Sequence, residues 1–502
     1  MPLVPLKFKA GIVKDITEYA SGKAGFYTDG NLVRFRNGFP EKIGGWLEET
    51  YSFNADQSTV TTVTGTPKHL VAWRATTDSF DRIIVGTHNH LYVINNGVFY
   101  DITPLRKTSE NLTNPLVTTN SSSVVTVTDT SHGAQTGDFI VIKQATAVGG
   151  ISADTINRLE GYQITKVDDN SYTFIAGSQA SSGATGGGTA IDIQYLIGNS
   201  DGVGFESSDP ALGWGVGAWG AEAWNEPRDV SLSTINIDAT NWSLELWGDD
   251  VLINNRGGQL YYWDTSAGDS ARAVLASSLG GASGIPTKIR TIAVSFPDRH
   301  LIAGGAIPLN GSEIDPMLVR FSDEMFIQTD EAVYGMTFVG PPFTFSFRLL
   351  AVNCGAVALH GSANVDGDVY WIGKSNFFIY NGAVAELPCS VQYFVFDRMQ
   401  TRYFDKIYAG HNKKYNEITW FYVSEDNVVE DNPEPDSYVT FNYADAAWTI
   451  GTLDRNVWHD IERKVRKKVE KETGYGDTNY DFEAWDKNVA KALGPYKQKW
   501  IK

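Results

Sequence analysis

A recurring hairpin unit constrains the fold of this chain more than any other feature. An Asp opens an apolar strand at Asp81 ("DRIIVGTHNHLY"), Asp250 ("DVLINNRGGQLY") and Asp368 ("DVYWIGKSNFFI"). In each copy a polar or glycine turn follows, and a large apolar residue lies ten positions after the Asp. Two copies end in Asn-Gly, which supplies the positive φ angles that a two-residue hairpin requires. A hairpin that recurs in this way predicts propeller blades, because none of them buries both faces alone.

Two further stretches extend this pattern. "DRHLIAGGA" from Asp298 is followed by "PMLVRF", and "NEITWFYVSEDN" from Asn416 is followed by "SYVTFNY". Apolar residues alternate with polar ones over most of the chain, and helix-period patterns are scarce before the C-terminal tail. The sequence therefore predicts a mostly-β protein with a β-propeller.

The distance from Asp81 to Asp250 is too long for one blade. Between them, residues 105–195 form a strand-rich segment whose flanks are rich in Ser, Thr, Asn and Gly ("TTNSSS", "GSQASSGATGGGT"). Such flanks are typical of an inserted unit, and we interpret this segment as a small β-barrel or sandwich. The predicted organisation is an N-terminal hairpin with the first blades (1–104), the insert (105–195), the remaining blades (196–454) and a tail (455–502).

The tail changes period. Its apolar residues recur at spacings of three and four, which predicts two amphipathic helices. The first stripe is Trp458, Ile461, Val465 and Val469, and the second is Phe482, Trp485, Val489 and Leu493. These stripes can be buried against the propeller, against each other or against another subunit.

The net charge of −18 is shared unequally along the chain. The tail carries 12 Lys and Arg against 8 Asp and Glu, so the acidic excess lies in the first 454 residues. An acidic body argues against tight binding of the phosphate backbone, which requires clustered cations. The same surface would repel DNA and let it slide past.

The sequence shows no catalytic or nucleotide-binding motif. His88 and His90 in one turn make a weak metal pair without a third ligand, and the acidic run Glu425–Asp436 lacks the spacing of a calcium loop. Cys354 and Cys389 are too few for a disulfide framework or a zinc site. We therefore predict no enzyme activity, no metal and no cofactor. No apolar run reaches the length of a membrane span, and the expectation is synthesis in a cytoplasm without Sec export.

Several long strings resemble a family of tail proteins from short-tailed double-stranded DNA bacteriophages. The opening "DGNLVRFRNGFPEKIGGW" is similar to the signature of that family, and further strings follow in the family's order over most of residues 1–455. They include "WGDDVLINNRGGQLYYWD", "VRFSDEMF", "VGPPFTFSFRLL", "NCGAVALHGSANVDGDVYWIGKSNFFIYNG", "ELPCSVQYFVFD" and "NYADAAWTIGTLDR".

The resemblance implies a virion protein that forms the tail hub or nozzle. Such a chain would assemble into a sixfold ring below the portal and adaptor, contact a tail fibre or spike, retain the packaged DNA and conduct it during ejection. The candidate interface residues are Arg34, Arg36 and Trp46 in the opening segment and Trp458, Ile461, Val465 and Trp485 in the tail. The residues of the constriction are not assigned.

The sequence departs from the family pattern in two places. It is about one hairpin short between "VRFSDEMF" and "DEAVYGMTFVGPP", and two helices replace further strands after "TLDR". A blade is therefore expected to be missing, incomplete or replaced.

A second class of function is a glycan-binding or glycan-depolymerising propeller. Trp214, Trp219 and Trp224 lie five residues apart in a glycine-rich stretch. This stretch is either a packed aromatic loop or a platform on which sugar rings stack.

Overall fold

The computed structural model describes residues 8–43, 47–48, 51–52, 60–61, 63–76, 81–95, 98–198, 241–295, 299–306, 317–321, 324–427, 433–460 and 499–500. The predicted turn at Asn96-Gly97, the Trp-rich stretch and almost all of the predicted helical tail lie outside these residues.

The N-terminal region leads into the first blade. A short helix, α1 (Glu18–Lys23), is capped by the side chain of Thr17 and precedes a hairpin of β1 (Val33–Arg36) and β2 (Phe39–Lys42). The next strands are β3 (Leu47–Glu48), β4 (Tyr51–Ser52), β5 (Val60–Thr61), β6 (Pro67–Arg74), β7 (Asp81–Thr87), β8 (Leu91–Asn95) and β9 (Val98–Asp101). Strands β6 to β9 form an antiparallel blade, and β4 and β5 extend its outer edge.

The insert folds as one eight-stranded sheet in the order β10-β17-β13-β14-β15-β12-β11-β16. Its strands are β10 (Leu105–Leu112), β11 (Leu116–Thr118), β12 (Val124–Thr128), β13 (Phe139–Lys143), β14 (Tyr162–Lys166), β15 (Ser171–Ile175), β16 (Ala184–Gly186) and β17 (Ile191–Leu196), with a short helix α2 (Ala153–Ile156). The sheet encloses a core of its own, so the predicted small β unit is confirmed.

Four more sheets follow the insert. Their strands are β18 (Trp242–Trp247), β19 (Asp250–Asn255), β20 (Leu260–Trp263), β21 (Val274–Leu275), β22 (Thr291–Val294), β23 (Leu301–Gly304), β24 (Met317–Phe321), β25 (Glu324–Gln328), β26 (Ala332–Gly340), β27 (Thr344–Val352), β28 (Ser362–Val365), β29 (Asp368–Ile372), β30 (Phe377–Tyr380) and β31 (Val384–Leu387). Three of these sheets are four-stranded blades, and β22 pairs with β23 alone among the described strands.

The last blade is β32 (Tyr408–Asn412), β33 (Glu417–Tyr422), β34 (Ser437–Asn442) and β35 (Ala447–Thr452). A helix, α3 (Gln392–Asp397), precedes it, and three 3₁₀ helices occupy Thr265–Ala267, Ala276–Ser278 and Thr401–Lys406. Strand β36 (Lys499–Trp500) pairs in parallel with β3.

The six sheets surround a centre. Their first strands contact one another in the order β6, β18, β22, β24, β28 and β32. Apolar clusters fill each junction, and the cluster that joins the last blade to the first includes Tyr408 and Phe421 with Leu70 and Tyr92. The predicted mostly-β propeller is therefore confirmed, and the described strands form five four-stranded blades and one two-stranded sheet.

The recurring hairpin is the second and third strand of a blade. It corresponds to β7–β8, β19–β20 and β29–β30, and the copy from Asn416 corresponds to β33–β34. For the copy from Asp298, "LIAGG" contains β23, the second strand of its sheet, as in the other copies. The predicted partner "PMLVRF" is wrong, because it contains β24, the first strand of the next blade, which pairs with β25. The incomplete sheet is thus β22–β23, whereas the blade β24–β27, where a shortfall was expected, has all four strands.

Candidate functional site

The opening hairpin β1–β2 lies on the last blade. Strand β1 contacts β35, and Phe35 belongs to the core shared by the last two blades. Arg34 is buried beside Glu417, and its Nη2 donates a hydrogen bond to Oε2 of that carboxylate at 3.1 Å. The guanidinium also stacks over the ring of Tyr415, 3.5 Å from its centroid. The hairpin is therefore fixed to β33, more than 380 residues away in sequence.

The electrostatics of this ion pair are those of a buried contact. Burial raises the pKa of Glu417 to about 7, although the guanidinium of Arg34 favours the ionised form. Two charges withdrawn from water in this way depend on each other, because removal of one leaves the other without a partner.

This burial places Arg34, predicted as an interface residue, inside its own chain. Arg36 is exposed, with its Nη1 3.9 Å from Oε2 of Glu41. Trp46 lies outside the described residues.

Trp458, another predicted interface residue, lies in the apolar cluster that joins the last blade to the first. It is buried, stacks on Phe421, and its Nε1 donates to the carbonyl oxygen of His411 at 3.0 Å. Residues 453–460 form no helix, so the prediction that a helical stripe starts at Trp458 is wrong. The indole packs in a groove over Gly410. This contact holds residues 453–460 in a non-helical path along the blade. Ile461, Val465 and Trp485 lie outside the described residues.

Histidines meet where the first strands of three blades come together. His69 on β6 and His360 just before β28 stack with ring centroids 4.0 Å apart. Tyr408 on β32 lies against both rings, and its hydroxyl is 3.3 Å from Nδ1 of His69. Nε2 of His360 is 3.1 Å from the carbonyl oxygen of Trp242. A carbonyl only accepts, so this nitrogen carries the hydrogen.

The stacked histidines are held in the neutral form. Burial lowers the pKa of His360 to about 4. Burial, with smaller contributions from His360 and His459, lowers the pKa of His69 well below its usual value. Desolvation disfavours the charged imidazolium in both cases. The centre is therefore filled by uncharged rings at neutral pH.

The histidines considered as a metal pair, His88 and His90, have partners within the protein. Nδ1 of His88 accepts a hydrogen bond from the backbone N–H of Thr66 at 2.8 Å, and His90 is buried against Tyr92. Within the described ranges, no group of three or more His, Cys, Asp or Glu side chains could hold a metal ion. Cys354 and Cys389 are free thiols, and burial raises the pKa of both. Over the same ranges, no helix is long and apolar enough to cross a membrane.

The long apolar hairpin β26–β27 was not identified as a candidate site from the sequence. Strands β26 and β27 have nine residues each, whereas β24 and β25 have five. Several of the hairpin's large side chains are exposed, namely Phe338, Val339, Phe343, Phe347, Leu349 and Val352. The string "VGPPFTFSFRLL" was noted only as part of a resemblance, although its run of aromatics without acidic residues was a readable signal.

No known protein-family model matches this chain, and no curated protein matches it. Among solved structures, it is similar to the phage phi92 endosialidase (9% identity, 89% of this chain and 63% of that chain covered, TM-score 0.22). It is also similar to a mutant Aleuria aurantia lectin in complex with α-methyl-L-fucoside (11% identity, 78% and 96% covered, TM-score 0.25). A third similar structure is a mutant Synechocystis apocarotenoid oxygenase (9% identity, 70% and 81% covered, TM-score 0.22).

These comparisons correct one prediction. The sequence analysis predicted no enzyme, but two of the three similar structures are enzymes by their titles, the endosialidase and the oxygenase. At these identities and TM-scores the likeness assigns no activity to this chain, and the propeller fold itself rests on the strand pairing described above.

Proposed function

We propose that this chain is a subunit of the tail hub or nozzle of a short-tailed phage, a ring below the portal and adaptor through which DNA leaves the virion. The observation that carries the proposal is where the family-like strings lie in the fold. "GNLVRFRNGFPEKIGGW" contains the hairpin fixed to the last blade, "WGDDVLINNRGGQLYYWD" covers β19 and β20, and "DVYWIGKSNFFIYNG" covers β29 and β30. The resemblance thus extends over the propeller itself, including the contact that secures its N-terminal segment.

Charge supports the same proposal. The chain carries a net charge of −18, with the acidic excess in the propeller and insert rather than in the tail. A ring of such subunits presents like charges to the phosphates of DNA, which prevents adhesion and favours passage. Each contact to the portal–adaptor side is repeated in every subunit, so weak contacts add up through multivalency. A fibre or spike would attach to the same ring.

The alternative is a propeller that binds or cleaves surface glycans. The titles of the endosialidase and of the lectin complexed with a fucoside agree with this class better than with a tail ring. TM-scores of 0.22 and 0.25 give that agreement no weight as an argument about ligands. Its predicted platform at Trp214, Trp219 and Trp224 lies outside the described residues.

The two proposals are separated by one pair of experiments on the full chain. The chain is purified and mixed with the portal–adaptor complex of the phage that encodes it, and particles are imaged by electron microscopy. A ring added to the adaptor supports the hub. A chain that remains monomeric with the adaptor, and that binds or depolymerises host polysaccharide in a glycan array or turnover assay, supports the alternative and overturns the hub.

A further inference from the structure

The sheet β24–β27 has one face that is buried near the centre and uncovered near its outer edge. Met325, Met336 and Phe347 are opposite one another on adjacent strands β25, β26 and β27, so they form one row across this face. Met325 and Met336 are 2% and 3% exposed and pack with Ala293 of β22. Phe347, the next residue in the row, is 64% exposed.

This change in burial corresponds to the width of the neighbouring sheet. In the described part of the chain that neighbour has two strands, β22 and β23. It covers the strands β25 and β26 opposite it, and on β27 it reaches Phe345, which packs on the same cluster and contacts His300. The exposed Phe347 and Leu349 lie beyond this contact. The adjacent row repeats the pattern, since Ile327 and Tyr334 are half-buried whereas Leu349 is 53% exposed.

The outer edge of the same strand is also open. Strand β27 pairs with β26, and no described strand pairs with its other side. The outer strand β35 of the last blade is instead covered by β1, and β9 of the first blade is paired with β4. Natural proteins protect long free edges with charges or Pro, because such edges recruit other strands. Strand β27 carries one charged residue, Arg348, and no Pro.

We infer that the outer face and edge of the hairpin β26–β27 form the contact surface for a second copy of this chain. This inference rests on the proposed ring and identifies the element that holds neighbouring subunits together. The six exposed apolar side chains of the hairpin offer about 600 Å² of surface, taking roughly 150–250 Å² for each and scaling it by its exposed fraction. A stable interface needs about 800 Å² from each partner. The hairpin therefore supplies most of one side.

Charge favours another copy as the occupant. Two chains of net charge −18 repel one another over most of their surfaces. Residues 332–352 are free of acidic side chains, and their single charge is the positive Arg348. Contact through this hairpin therefore avoids like-charge repulsion between the two copies. Since the hairpin docks on a different part of that neighbour, the contact is head-to-tail and can close a ring.

The test compares two triple variants of the full chain. Phe343→Ser/Phe347→Ser/Leu349→Ser removes apolar groups from the hairpin. Leu159→Ser/Val167→Ser/Ile175→Ser removes equally exposed apolar groups from the insert and serves as the matched control. Mass photometry measures assembly with and without the adaptor ring, and thermal unfolding verifies that both variants fold. We expect at least a tenfold loss of subunit–subunit assembly in the hairpin variant alone, with single copies still binding the adaptor.

A cross-link keeps the inference falsifiable if the hairpin variant fails to fold. Ser346→Cys places a thiol on the exposed strand, and a maleimide–benzophenone photo-cross-linker attached to it should link neighbouring copies in the assembled ring, because benzophenone reacts with C–H groups of any residue that it contacts. If the hairpin variant assembles like the control, or if Ser346→Cys links no copies in a formed ring, the inference is wrong while the ring stands. If the unmodified chain never assembles on the adaptor, both proposals fail. If it instead sediments with phospholipid vesicles through an intact hairpin, the surface binds membranes and not a second copy.

Discussion

Gly410 lies directly beneath the indole of Trp458, and a Cβ on this glycine would be 2.4 Å from Cγ of the ring. The indole N–H donates to the carbonyl oxygen of the next residue, His411. The same arrangement joins the first blade to the second. A Cβ on Gly86 would be 2.4 Å from Cδ1 of Trp242, whose N–H donates to the carbonyl oxygen of Thr87 at 2.7 Å. At two blade junctions, therefore, a tryptophan from another segment packs directly against a glycine that has no room for a side chain.

Substitution of Gly410 by Ala should loosen the junction between the last and first blades. The added methyl group overlaps the indole, and overpacking of this kind costs about 1–3 kcal/mol of unfolding free energy. Urea unfolding followed by tryptophan fluorescence measures the loss. Gly280→Ala is the matched control, because nothing lies within 4 Å of a Cβ at that position. Equal stability of the two variants would contradict the packing described for Trp458.

Loss of either member of the buried ion pair should release the opening hairpin. Glu417→Ala leaves the buried guanidinium of Arg34 unpaired, and such a break costs about 3–5 kcal/mol. Arg34→Ala should cost less, because the carboxyl of Glu417, whose pKa is already about 7, can then take up a proton. The double variant should lose less than the sum of the single losses, since both charges are then absent. Arg36→Ala, which removes an exposed partner of Glu41, should cost less than about 1 kcal/mol. Additive losses from Arg34 and Glu417 in a double-mutant cycle of urea unfolding would show that the two side chains do not interact.

Acid should destabilise the propeller through its central histidines. The folded-state pKa of His360 is about 4, below the ordinary value of 6.5. The unfolded chain therefore binds more protons between these values, and stability rises with pH in this window. The stability that the neutral histidine contributes is fully present above about pH 6.5. It is lost as the pH falls toward 4, by up to about 1.4 kcal/mol of unfolding free energy per pH unit for each histidine.

Unfolding free energies at pH 7 and pH 5 test this dependence. His360→Gln should reduce the difference between the two pH values. Gly280→Ala, which changes no titratable group and meets no neighbouring atom, should leave the difference unchanged. An equal pH dependence in His360→Gln and the wild type would locate the acid sensitivity elsewhere.

The sequence predicted local units better than their partners. Asp81, Asp250 and Asp368 identified the paired strands at the middle of three blades, because alternation and turn chemistry are local properties. The insert was recognisable as a strand-rich segment that separates two copies of the recurring hairpin. The Ser- and Gly-rich stretches interpreted as its flanks lie inside its sheet, between β11 and β12 and between β15 and β17. Which of the described sheets has two strands depends on pairing between distant segments. The alternation in "LIAGG" is compatible with pairing to β22 or to β24, and only the structure shows that it pairs with β22.

The roles of the candidate residues were less predictable for the same reason. Arg34 has the sequence context of an exposed hairpin residue, and only Glu417 on a strand far along the chain accounts for its burial. Trp458 fits a helical spacing, yet the space above Gly410 decides its position. Long-range contacts of this kind leave no periodic signal in the chain.

Removal of the insert should leave the propeller folded. Leu105 at its start and Leu196 at its end are opposite one another in the pairing of β10 with β17. The backbone N–H of Ile197 donates to the carbonyl oxygen of Pro104 at 3.1 Å, so the two chain ends are adjacent. A Gly-Ser linker from Pro104 to Ile197 therefore spans the gap without moving β9.

The insert should also fold by itself, because its buried side chains form a separate core. Thermal unfolding of the shortened chain and of residues 105–196 alone measures both outcomes. We expect a cooperative transition in each, with the shortened chain losing the ring contact between Phe139 and His88 and the hydrogen bond that Asn89 donates to the carbonyl oxygen of Glu160. An aggregated or non-cooperative shortened chain would mean that the first blade depends on the insert for its stability.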